Sequence, residues 1–254
     1  MRRVVKIGGR AQGDAQLIVQ LAAATGRGES LVIVHGGGDE VSALQRRLGL
    51  EPQFRGGRRV TSVEDLELVR MVLSGATNKR LVAQLLSAGV RAVGISGEDA
   101  AMLTAHVTDP EFGRVGGAMT AHAVLLTHLW SGGFIPVVSP VGRDADDPHG
   151  GGLNVNGDDA AAAVAAALGA DELLLVADVP GVLDDVGATI PELNTAAATA
   201  LVAKGVAKGG MAAKLEAGML ALRGGVRRVR IGDLRAITDA SIGTRLLLSQ
   251  APAS

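Results

Sequence analysis

The chain has 254 residues, a formal net charge of −1 from 25 basic and 26 acidic residues, and no cysteine. That length suits one large α/β domain or two lobes sharing a sheet, and the charge balance argues against nucleic acid as a main partner. The absence of thiols excludes disulfides and thiolate metal sites, while aromatics at 2% of residues leave no base-stacking platform for single strands.

Met1-Arg2-Arg3 leads into Val4-Val5-Lys6-Ile7, a buried-strand pattern too short for a membrane span or signal core, so a cytoplasmic protein with no membrane partner is expected. Gly8-Gly9 follow, then a helical pattern over Asp14–Ala24. Leu31–Val34 reads as a second strand, ending in His35-Gly36-Gly37-Gly38 and an amphipathic helix through Val41, Leu44 and Leu48. Short apolar strands alternating with helices predict a parallel sheet covered on both faces. Glu51–Thr61, with Arg55, Arg58 and Arg59, predicts a hairpin or flap. Two helices, Val63–Leu73 and Asn78–Ala88, precede a strand at Arg91–Ile95. Met102–Ala118 predicts an antiparallel excursion, and a helix over Ala121–Ser131 leads to a strand at Phe134–Val138. A glycine-rich loop, Asp147-Pro148-His149-Gly150-Gly151-Gly152, opens onto Leu153–Ala160 and an alanine/valine helix to Leu168. Then come a strand at Glu172–Val176, a turn at Asp178–Leu183, helices at Asn194–Val202 and Met211–Leu222, a strand at Val226–Ile231 and a terminal strand from Ile242. A soft boundary lies near residue 170.

Asn154, Asn156, Asp158 and Asp159 leave two readings open: a polar-capped helix start, or side chains projecting into a site. Three glycine turns follow strands, at Gly8-Gly9, Gly36-Gly37-Gly38 and Gly181. Glycine there lets backbone N–H groups approach an anion at the carboxyl edge of a sheet. Neither GxxxxGK[ST] nor GxGxxG follows the first two strands, which argues against a Walker loop and a dinucleotide site. Five histidines without HxxxH or HExxH spacing argue against a histidine metal site.

Lys6 interrupts an apolar strand, where an unpartnered lysine is costly; it faces outward from an edge strand or meets an anion. Lys214 is placed in the first turn of a helix opened by Met211, where the dipole disfavours a cation; it is solvated or close to an anion. Two ammonium groups and no Ser/His/Asp constellation point to phosphoryl transfer, which needs alignment and charge stabilisation. Asp158 is placed to pair with both lysines. Arg59 suits an acceptor carboxylate through its planar fork, with Arg58 directed to the opposite face.

The segments Val4–Gly9, Val34–Gly38, Gly57-Arg58-Arg59-Val60-Thr61, Asn154–Asp158, Asp178–Val182 and Gly209–Lys214 together resemble the acetylglutamate kinases of the amino acid kinase superfamily, in order and over nearly the whole chain. The resemblance implies a three-layer α/β/α sandwich around a mainly parallel open sheet, assembled as a homodimer. Residues 1–170 would form the acyl-amino-acid and dimerisation lobe and residues 171–254 the ATP lobe. Lys6 and Lys214 would be the transition-state lysines, ordered by Asp158. Gly8, Gly9, Gly37 and Gly38 would donate backbone N–H groups to phosphoryl group and substrate, and Arg59 and Asn154 would hold substrate carboxylates. Asp178, Val179, Pro180, Gly181, Val182 and Leu183, with Val206, Ala207 and Lys208, would bind the nucleotide. Mg²⁺ would arrive on the ATP phosphates, without protein side-chain ligands. The implied reaction is phosphorylation of the γ-carboxylate of N-acetyl-L-glutamate in arginine biosynthesis.

Gly157 departs from the alanine common in the family. The short stretch before Lys6 leaves no room for the extra helix of arginine-inhibited hexamers, so a dimer without that inhibition is expected. A related activity, on carrier-linked aminoadipate or glutamate, needs a basic docking surface, and Met102–Ala118 is not strongly basic. A nonenzymatic sensor would need binding but not two transition-state cations. Asn156 stands open between ligand and cap.

Overall fold

A computed structural model describes residues 1–55, 58–147, 149 and 151–249; Gly57, Pro148 and Gly150 of the motifs above lie outside the described residues. In chain order the first elements are β1 (Arg2–Ile7), α1 (Ala15–Gly26), β2 (Ser30–His35), α2 (Gly38–Arg47), β3 (Phe54–Arg55), β4 (Arg58–Arg59), α3 (Val63–Val69) and α4 (Asn78–Ser87). There follow β5 (Ala92–Ser96), β6 (Leu103–Val107), β7 (Gly116–Ala121), α5 (Val124–Ser131), β8 (Ile135–Ser139), β9 (Val141–Asp144), β10 (Gly152–Asn154) and α6 (Gly157–Ala167). The last are β11 (Glu172–Val176), β12 (Glu192–Asn194), α7 (Thr195–Ala203), α8 (Gly209–Arg223), β13 (Val229–Gly232) and β14 (Thr244–Leu247).

The main sheet has eight strands in the order β12-β14-β13-β11-β1-β2-β8-β5. Its pairs are parallel except β13 with β14. A four-stranded sheet, β10-β9-β6-β7, carries the antiparallel pairing of β6 with β7 that Met102–Ala118 predicted. The hairpin over Glu51–Thr61 is also present, as β3 paired antiparallel with β4.

Strand side chains alternate between faces, and β1 shows what that does. Val4 joins Val34, Leu173, Leu175, the alanines of α6 and Leu215 of α8 in one core. Val5 and Ile7 join Ile33, Leu174, Leu17 and Leu21 of α1, and Leu81 and Leu85 of α4 in the other. Lys6 shares the face of Val4, so β1 turns it toward α6 and α8. Three layers follow, with helices on both faces. Alanine keeps α6 thin, and it packs against β1, β2, β11 and α8 at once.

Two expectations need correction. The helices at Val63–Leu73 and Asn78–Ala88 are one unbroken helical stretch. The residues Arg70–Thr77 between α3 and α4 form a π-helical segment, and the joints at Val69, Arg70, Thr77 and Asn78 keep right-handed helical dihedrals. Gly75 lies inside this segment although glycine disfavours a helix interior. Tertiary bonds hold the wide turn: Ser74 Oγ lies 2.7 Å from Ser139 Oγ, and Thr77 Oγ1 donates to Glu40 at 3.0 Å. The second correction is that α8 starts at Gly209, not Met211. Lys214 therefore lies in the second turn, and the helix dipole acts on it less than the sequence pattern implied. Leu215, Met219 and Leu222 form the buried face of α8, with Met211 half-buried at its start.

Candidate active site

Asn156 opens the site. It is the N-cap of α6, its Oδ1 accepting from the backbone N–H groups of Asp158 at 2.8 Å and Asp159 at 3.3 Å. This satisfies two of the donors a helix start leaves free and fixes the next turn. Asp158 then points from α6 toward the sheet, near the positive end of the helix where a carboxylate is favoured.

There it meets both lysines. Lys6 Nζ lies 2.9 Å from Asp158 Oδ1. Lys214 Nζ lies 3.3 Å from the same oxygen and 3.4 Å from Oδ2. The three residues are 7%, 8% and 4% exposed in the order Lys6, Lys214, Asp158, so one carboxylate faces two ammonium groups nearly out of water. Burial first, and the Lys6 ammonium second, lower the pKa of Lys214, against the opposing pull of Asp158. An unmatched positive charge in a low-dielectric place is complementary to an incoming polyanion. Gly157 has a reason to be small here: a Cβ would stand 3.3 Å from Lys6 Cε and 3.5 Å from the His35 carbonyl oxygen.

Two clefts flank the triad. The first, about 250 Å³, is lined by Gly36, Gly37, Gly38, Arg58, Arg59 and Asn154 among others. The second, about 470 Å³, is lined by Gly8, Gly9, Gly38, Asp178, Val179 and Lys214 among others. Gly38 borders both. Gly37 has φ +153°, a conformation that favours glycine, and a Cβ there would stand 2.7 Å from Leu73 Cδ2. Among the described residues, the N–H groups of Gly8, Gly9, Gly37 and Gly38 have no acceptor in the protein. They belong to residues that line the two clefts, where free backbone donors suit an anion.

Arg59 is nearly buried, and its guanidinium is already engaged. It donates to the Gly38 carbonyl at 2.8 Å, to Ser42 Oγ at 2.7 Å and to Gln45 Oε1, and it lies 4.7 Å from the centre of the Phe54 ring. Arg59 thus braces the start of α2 while lining the first cleft; Arg58, its exposed neighbour, lines the same cleft. Asn154 donates to Thr61 Oγ1 at 3.1 Å. The remaining expected nucleotide residues do not line the second cleft. Pro180 and Leu183 flank Gly181 and Val182, which are packed in: Val182 N–H donates to Thr244 Oγ1 at 2.8 Å, and a Cβ at Gly181 would stand 2.7 Å from that oxygen. Val206, Ala207 and Lys208 form the approach to α8, with Lys208 at its N-cap.

The sequence pattern left several contributors unmarked. Arg10 and Asp39 rim the second cleft 3.8 Å apart, and Arg10 reaches Asp178 at 3.6 Å. His35 is fully buried; its Nδ1–H donates to the Gly36 carbonyl at 2.8 Å and its Nε2 accepts from Asn78 Nδ2 at 3.1 Å. Burial, chiefly, pushes its pKa down to about 4, so the neutral ring suits this pattern. Among the described residues no cluster of three or more His, Cys, Asp or Glu is placed to hold a metal ion, and no helix is long and apolar enough to cross a membrane.

Residues 1–233 match the amino acid kinase family. The acetylglutamate kinase of Chloroflexus aurantiacus is 42% identical over 246 residues, covering 95% of each chain. That of Rubrobacter xylanophilus is 44% identical over 242 residues, covering 94% of this chain and 93% of its own. Among solved structures, smu.665 from Streptococcus mutans UA159 is 30% identical with a TM-score of 0.85, covering 96% of this chain and 98% of that one. The N-acetylglutamate synthase of Neisseria gonorrhoeae, solved with coenzyme A and N-acetyl-glutamate, is 25% identical with a TM-score of 0.80, covering 98% of this chain and 60% of that one. The chain belongs to the amino acid kinase family and, within it, to the acetylglutamate kinases.

Proposed function

We propose that this protein transfers the γ-phosphoryl group of ATP to the γ-carboxylate of N-acetyl-L-glutamate, giving an acyl phosphate for arginine synthesis. The observation that carries the reading is Asp158 ordering two buried ammonium groups between two glycine-lined clefts that share Gly38. In this reading ATP occupies the second cleft and the acyl-glutamate the first. Lys6 and Lys214 stabilise the charge that spreads over the equatorial oxygens in transfer, and the glycine N–H groups align the reacting ends. The donor set is backbone N–H and ammonium, which fits anions. Magnesium would come with the nucleotide and would supply charge neutralisation there. The reading carries with it a homodimer, a cytoplasmic place, and a division into an acyl-amino-acid lobe, residues 1–170, and a nucleotide lobe, residues 171–254.

A hydroxamate assay tests it, with free N-acetylglutamate, N-acetylaminoadipate and carrier-linked glutamate as acceptors. Acyl phosphate from free N-acetylglutamate alone is the expected result. Product from the carrier-linked acceptor alone would move the substrate assignment, and nucleotide binding without any product would mean a sensor. Arg59 is expected to act mainly in acceptor binding. Arg59→Ala should raise KM for N-acetylglutamate about tenfold or more, the loss of one charged hydrogen-bonding group, with a smaller change in KM for ATP. An unchanged acceptor KM would confine Arg59 to bracing α2.

A further inference from the structure

The two glycine turns serve different clefts, yet they touch. A Cβ at Gly9 would stand 3.4 Å from Gly37 Cα, and Gly36 N–H donates to the Ile7 carbonyl at 2.9 Å. Two side chains close on the carbonyl of Gly36. One is His35 Nδ1, at 2.8 Å. The other is Gln12 Nε2, at 2.9 Å, reaching over from the far side of the first turn. Gln12 sits in a short 3₁₀ turn, Arg10–Gly13, that returns onto the first glycine turn through Gln12 N–H to the Gly9 carbonyl at 3.3 Å.

Geometry gives this grip a direction. A trans peptide points its N–H opposite to its C=O. With the Gly36 carbonyl drawn toward Gln12 and His35, the N–H of Gly37 is turned the other way. Gly37 lines the first cleft, and that N–H has no acceptor among the described residues.

We propose that Gln12 is a positioning residue for phosphoryl transfer: its amide staples the Gly8-Gly9 turn to the Gly36-Gly37-Gly38 turn and so aims the Gly37 N–H at the transferring group. The substrates in this inference rest on the function proposed above. Gln12 touches neither substrate. It sets the spacing between the donors of one cleft and those of the other. Small misplacements of reacting groups are costly in rate, so the signature is a loss in turnover rather than in affinity.

Gln12 is partly exposed, so its replacement leaves the core intact. Gln12→Ala is expected to lower kcat about tenfold while KM for ATP and for N-acetylglutamate stay within twofold. Gln12→Glu should lower kcat further, because a carboxylate cannot donate to the Gly36 carbonyl and repels it. The thermal midpoint of Gln12→Ala should stay within about 2 °C of the parent, which a merely structural role would not predict alongside the rate loss. A second readout needs no substrate: the Gly37 amide resonance of the full chain, followed by NMR, should shift in Gln12→Ala. If that resonance is unmoved, or if kcat in both variants is within twofold of an active parent, the staple is wrong. If the parent phosphorylates none of the acceptors but the Gly37 resonance moves, the substrate assignment fails and the staple stands.

Discussion

Turnover should fall by two to three orders of magnitude in Lys6→Ala and in Lys214→Ala, the usual cost of losing a preorganised charge that stabilises a transition state. Both ammonium groups stand on one carboxylate, at 2.9 and 3.3 Å from Asp158 Oδ1. Removing either leaves a one-to-one ion pair, so the buried charge becomes balanced rather than unbalanced. The fold should tolerate each change, and the loss should appear in kcat with nucleotide affinity reduced by a smaller factor. The double variant should lose less than the product of the single losses, because the lysines act as a unit. Steady-state kinetics of the three variants, with thermal melts as control, measure this. Turnover within tenfold of the parent in either single variant would remove phosphoryl-charge stabilisation from that lysine.

The largest effect on stability is expected on the opposite face of the same sheet. Arg3, Glu172 and Arg230 are 2%, 1% and 3% exposed and meet there. Glu172 Oε1 accepts from Arg230 Nε at 2.7 Å. Glu172 Oε2 lies 2.7 Å from Arg3 Nε, a charge contact off the line of a hydrogen bond. Arg230 also donates to the carbonyls of Asp239, Ile242 and Ala236. Glu172→Gln should cost about 3–5 kcal/mol, the range for stripping one partner from a buried ion pair. For a chain of this size that is a fall in thermal midpoint of roughly 10 °C.

The pH dependence of this cluster has a definite sign. Burial raises the pKa of Glu172, but the hydrogen bond from Arg230 and the charges of Arg3, Arg230 and Arg228 outweigh it and hold the carboxyl below its ordinary 4.5. A folded-state pKa below the unfolded one means stability that is present above about pH 4.5 and lost as pH falls through the lower value. Acid denaturation below about pH 4.5 should therefore be steeper in the parent than in Glu172→Gln. Parallel curves for the two would show that other groups govern acid unfolding.

Most of the sheet was legible because its strands are short apolar runs between glycines, and β11 falls where Glu172–Val176 predicted it. Lys6 was legible as an oddity in its strand; period-two alternation then decides which layer it faces. Asn156 was ambiguous until the dihedrals of α6 made it the cap. The start of α8 was misplaced because Gly209-Gly210 reads as a break, yet N-terminal N–H groups have no intrahelical partners to lose. The π-helical segment was unreadable for a different reason: side chains from distant strands and helices hold it. Gln12 was also silent, because its partner is a backbone carbonyl 24 positions away and nothing in its own neighbourhood signals one.

The soft boundary near residue 170 falls where β11 enters the sheet beside β1, pairing Arg3 with Glu172 and Lys6 with Leu175. The residues on the two sides of that boundary, which together line the second cleft, are therefore joined by a ladder of hydrogen bonds as well as by the covalent chain. Arg3 and Glu172, from the two sides of that boundary, add a charge contact across the same seam. A hinge needs a few residues free to change their dihedrals, and a paired central strand offers none. Any movement of one side against the other would therefore have to pass through the twist of the sheet rather than turn about a linker.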